Sequence, residues 1–142
     1  MKLNELEMQI VKQRIEQTDS IAELQADVFK PALFKTVVAI SHISGGALPK
    51  SEAFLDMFID ELYIFLLEYG YGSFAITEII LAFRININTK LRQPSGITLD
   101  RVELKTNELS IEYISDILHQ YSIFRNSIDR KFENFIDGYG QL

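Results

Sequence analysis

Between Ser51 and Tyr69 the apolar residues Leu55, Phe58, Ile59, Leu62, Phe65, Leu66 and Tyr69 recur at steps of three and four, the spacing of one helix face. Phe54, Met57, Ile64 and Leu67 widen the stripe until only Glu52, Asp56, Asp60, Glu61 and Glu68 keep a polar edge. A helix that is apolar around most of its circumference belongs at the centre of a bundle. Ser51 stands where an N-cap is needed and Gly70 where the helix should close. A second long pattern follows Ser110, where Ile114, Ile117, Leu118, Tyr121, Phe124, Ile128, Phe132 and Phe135 hold one face to about Ile136. Gly138 is its expected end.

Shorter patterns fill in the rest. Leu3, Leu6, Ile10 and Ile15, flanked by Met8 and Val11, predict an opening helix. Ser20 with Glu23 three residues later has capping-box spacing, and Ile21, Leu24, Val28 and Phe29 form the face that follows. Pro31 should end or kink that helix near Phe29. A further run from Pro31 to about Ile43 stops at Gly45-Gly46. Thr77 and Glu78 open another helix through Ile79, Ile80, Leu81 and Phe83. Beyond it Phe83, Ile85 and Ile87 alternate with Arg84, Asn86 and Asn88, a period of two that suits a strand. With a turn at Gln93-Pro94-Ser95-Gly96, a short β-hairpin over 84–104 competes with a poorly ordered loop. The fold class is all-α: one domain, residues 1–142, built as a bundle of five or six helices.

Composition supports a folded domain, with 47% hydrophobic and 11% aromatic residues in 142 positions. Cysteine is absent, which removes disulfides and thiolate metal sites and makes a reducing cytoplasm the natural compartment. The N-terminus has no apolar signal region. No apolar run reaches the ~20 residues of a bilayer span, so no membrane association is expected.

Charge is unevenly spread. Ser51 to Phe83 carries Glu52, Asp56, Asp60, Glu61, Glu68 and Glu78 and no Lys or Arg. The next segment carries Arg84, Lys90, Arg92, Arg101 and Lys105 against Asp100 and Glu103. A net charge of −6 disfavours a dedicated duplex-DNA binder, because phosphate contacts supply most non-specific affinity. Those five basic residues remain the candidates for a local nucleic-acid or partner contact. Tyr121 and Arg125, at i and i+4, could stack into a flat basic contact surface.

Motifs for chemistry are weak. Gly70-Tyr71-Gly72-Ser73-Phe74-Ala75 matches a dinucleotide fingerprint, but that motif needs a preceding strand and here follows a helix. Asp116 and His119 have metal-sharing spacing, while His42 has no acidic neighbour to complete a di-metal set. No catalytic residue, cofactor or metal is assigned, and the expectation is a protein that is not an enzyme.

The string Tyr71-Gly72-Ser73-Phe74-Ala75-Ile76-Thr77-Glu78-Ile79-Ile80-Leu81-Ala82-Phe83-Arg84 and the later Leu109–Tyr121 stretch with Phe124-Arg125-Asn126 resemble an uncharacterised family of small helical proteins of Bacteroidetes phages and mobile elements. The resemblance covers about residues 70–126, and this chain departs from it in a longer Asn88–Thr106 segment. It implies a helical fold and a loose association with phage or plasmid replication, and it transfers no catalytic residues.

The leading expectation is therefore a phage- or mobile-element-type accessory protein, in the bacterial host cytoplasm, that acts by protein–protein interaction, for instance in DNA replication. The alternatives are nucleic-acid binding through 84–105 and a structural virion component or inhibitor of host defence. The length of the last helix predicts a homodimer or hetero-complex contact at Ile128, Phe132, Phe135 and Ile136.

Overall fold

Among the described residues, a computed structural model shows the helices α1 (Ala26–Ser44), α2 (Glu52–Glu68), α3 (Thr77–Ile87) and α4 (Ile111–Gly140). Two short 3-10 turns, Ile21–Glu23 and Tyr71–Ser73, precede α1 and α3. The structure describes residues 20–92 and 96–140, with Glu5 and Met8, and the side chains only as far as Arg130. The expected opening helix thus lies outside the described residues apart from Glu5 and Met8, which are helical.

Pro31 does not divide α1. The helix runs through it from Ala26 to Ser44, because a proline near the start forfeits one hydrogen bond while the next turns bury Leu33, Val37 and Ile40 completely. The expected capping box at Ser20 is also absent. Its side chain caps nothing, and only a 3-10 turn follows. Ser51 and Ser110 do cap, accepting from Phe54 N–H at 3.0 Å and from Tyr113 N–H at 3.1 Å. Gly45 closes α1 at φ +78°, a backbone state that favours glycine. Gly46 then lets the chain approach α4's leader: a Cβ there would sit 3.2 Å from Leu109 N. Ala47 and Glu108 form a lone parallel bridge at that point.

The central helix is α3, not α2. It packs against both α1 and α4 and buries Glu78, Ile79, Ala82, Phe83, Ile85 and Asn86. These buried positions follow helical geometry, so the apparent alternation after Phe83 belongs to a helix that is covered on two sides. α2 lies to one side, contacting α1 and the Tyr71–Ser73 turn, with a lighter contact to α4. Its inner face, Ile59, Leu62, Phe65 and Leu66, joins a single cluster with Leu33, Ile79, Phe83, Ile114, Tyr121 and Phe124.

The segment between α3 and α4 is neither a hairpin nor loose in its described part. No strand occurs among the described residues. Buried Asn86 donates from Nδ2 to Asp100 O at 2.8 Å and accepts from Val102 N–H at 2.9 Å. Gln120 accepts from Asp100 N–H at 2.9 Å. Leu99 and Leu109 are buried. Side chains of α3 and α4 thus supply the partners that a neighbouring strand would otherwise provide. At its other end α4 continues past Gly138 to Gly140. Its 30 residues make a helix of about 45 Å.

Candidate functional site

Three places could carry function: a buried polar cluster, the basic segment, and the outer side of α2.

The polar cluster forms around Glu78, in the first turn of α3. Its Oε2 accepts from Ala75 N–H at 2.8 Å, an unpaired donor ahead of the helix. Its Oε1 accepts from Tyr121 Oη at 2.6 Å and Arg125 Nε at 2.9 Å. One helical turn separates Tyr121 from Arg125, which brings both to the same oxygen. Arg125 Cζ lies 4.2 Å from the centre of the Phe74 ring. Its Nη2 reaches Ser73 O at 3.5 Å and its Nη1 lies 3.7 Å from Asp129.

Glu78 has 0% exposure and Arg125 8%. A carboxylate so enclosed and so fully hydrogen-bonded fastens α3 to α4 and offers no open position to a substrate. Tyr121 and Arg125 therefore do not make the outward-facing stack that their spacing predicts. Both point inward, and Phe74 lies against each of them. The sequence placed Arg125 and Tyr121 on one face but gave no pointer to Glu78, which looked like an ordinary first-turn acid.

Two of the five basic residues are ion-paired. Arg101 pairs with Glu103 at 3.3 Å and Lys105 with Glu112 at 3.7 Å. Arg84 and Lys90 are exposed and Arg92 is half-buried. Those three have no ion pair among the described residues. Of the expected interface, Ile128 is fully buried in the chain's own core, so it cannot meet another chain. The side chains of Phe132, Phe135 and Ile136 lie outside the described residues.

Asp116 and His119 are exposed on α4 and His42 is exposed on α1. Among the described residues no three metal-ligating side chains come together. The Gly70–Ala75 motif is a 3-10 turn leaving a helix, which is the wrong setting for a dinucleotide. No helix among the described residues is long and apolar enough to cross a membrane.

The outer side of α2 is different. Phe54 is 66% exposed, Met57 55%, Ile64 53% and Leu67 41%, and Tyr69 just beyond is 68% exposed. Met57 and Ile64 stand seven residues apart, about two turns, and so share one face. Exposed carboxylates run beside them: Asp56 on one flank, Glu61 and Glu68 on the other. Lys30 of α1 touches Asp56 at 3.0 Å and Asp60 at 3.3 Å. Those contacts hold its ammonium above its ordinary pKa, through the Asp56 hydrogen bond first and that of Asp60 second. Glu61 and Glu68 have no ion pair among the described residues.

The apolar surplus of this helix was legible in the sequence. Its direction was not, because periodicity does not say what covers each side. No family pattern, curated protein or solved structure matches the chain, so its own residues carry the functional argument.

Proposed function

We propose that this protein is a non-catalytic accessory module that works by binding another protein through the outer side of α2. The observation that carries this reading is the exposure of Phe54, Met57, Ile64 and Leu67 on one helix. Large apolar side chains grouped in this way mark an interaction site on a small domain. Tyr121, Arg125 and Ile128 are buried, which favours α2 over the described part of α4 as the contact surface. The likeness of residues 70–126 to small mobile-element proteins suggests the setting, an accessory role in phage or plasmid biology such as DNA replication. Nucleic-acid binding through Arg84, Lys90 and Arg92 is less well supported, since Arg101 and Lys105 already face carboxylates.

The test is photocrosslinking in cells that naturally make the protein, with benzoylphenylalanine placed at Ile64 or, as a control, at exposed Thr98. A discrete protein adduct from position 64 and none from position 98 is the expected result. Equal labelling at both positions, or none at 64, would reject this surface.

A further inference from the structure

The chemistry of the α2 face also selects its occupant, given the reading of that face as a protein-binding surface. Met57, Ile64 and Leu67 present apolar surface in helical register, and Glu61 and Glu68 border it. Lys30, a cation beside it, is already shared between Asp56 and Asp60. Residues 51–83 contain no Lys or Arg. A second copy laid against this face would set carboxylate against carboxylate, on a chain of net charge −6, and like charges in contact are unfavourable. We infer that the occupant is a basic amphipathic helix of another protein, its apolar stripe on Met57 and Ile64 and its Lys or Arg residues beside Glu61 and Glu68. Helix-in-groove recognition uses the same spacing of anchors, and charges at the rim set partner choice and orientation.

Two synthetic helices of the length of α2 provide the probe, identical in their leucine stripe and flanked by Lys in one and by Glu in the other. Calorimetry with the full chain should show the Lys-flanked helix binding and the Glu-flanked helix not. Affinity should fall as salt rises, because rim charges are screened. Glu61→Lys with Glu68→Lys should weaken binding about tenfold, the equivalent of 1.4 kcal/mol. Met57→Asp with Ile64→Asp should abolish it, with an unchanged circular dichroism spectrum because both side chains are already exposed.

Equal binding of both helices, lost in the Asp variant, would overturn the basic occupant while leaving α2 as the docking face. Binding of the Lys-flanked helix that survives the Asp variant would overturn the face itself. If neither helix binds, benzoylphenylalanine at position 64 gives the contrary answer. An adduct to a second copy, or to residues 1–19 of the same chain, names that segment as occupant and refutes the proposal. The absence of any adduct refutes it together with the interaction reading.

Discussion

Glu78 accepts hydrogen bonds from Ala75, Tyr121 and Arg125 in the chain's interior, and this cluster sets the residue-scale energetics. Buried ion pairs add little net stability when intact, because desolvation offsets the attraction. Removing one partner is costly, since the other is left buried and uncompensated. Glu78→Ala is therefore expected to destabilise the fold by about 3–5 kcal/mol, measured by urea denaturation. Tyr121→Phe, which removes one of three donors, should cost about 1–3 kcal/mol. The two changes should not be additive in a double-mutant cycle, because they share an oxygen. A cost below about 1 kcal/mol for Glu78→Ala would show that the cluster does not fasten α3 to α4. The i, i+4 relation of Tyr121 and Arg125 was readable from sequence, but their orientation was not. That orientation depends on an acid 43 and 47 positions earlier in the chain, and spacing carries no information across such a gap.

Among the elements, apolar periodicity and three of the end signals were reliable, while Ser20 caps nothing and α4 passes Gly138. Ser51, Gly45 and Ser110 each mark a real helix end, since a capping side chain or a left-handed glycine acts locally. Pro31 and the segment after Phe83 were misleading for the same physical reason. At both places burial against other elements outweighs the local preference, so α1 passes through its proline and α3 extends to Ile87. Asn86 shows how this works, because its amide bonds the backbone at Asp100 and Val102 and ties the excursion to α3. Asn86→Ala should cost about 1 kcal/mol by removing two part-buried hydrogen bonds. In hydrogen exchange the Val102 amide should lose protection before the amides of α3 do. Retained protection at Val102 would show that packing of Leu99 alone holds the segment.

For the whole molecule, the all-α class was legible, and the position of each helix within it was not. α2 was expected at the centre because it is apolar nearly all round. Helices α1 to α4 contribute to one cluster of side chains, and α3 takes the central place between α1 and α4. Phe54, Met57, Ile64 and Leu67 on the outer side of α2 stay exposed, and the acidic residues beside them favour the proposed basic occupant. The most direct measurement of this account is solvent paramagnetic relaxation of the Met, Ile and Leu methyl groups, with a soluble spin label, in the free chain and with the Lys-flanked helix bound. Met57, Ile64 and Leu67 should relax rapidly in the free chain, Ile79 and Ile114 slowly, and the bound helix should shield the first set alone. Met57 and Ile64 as slow as Ile79 in the free chain, or shielding centred on Arg84 and Lys90, would contradict it.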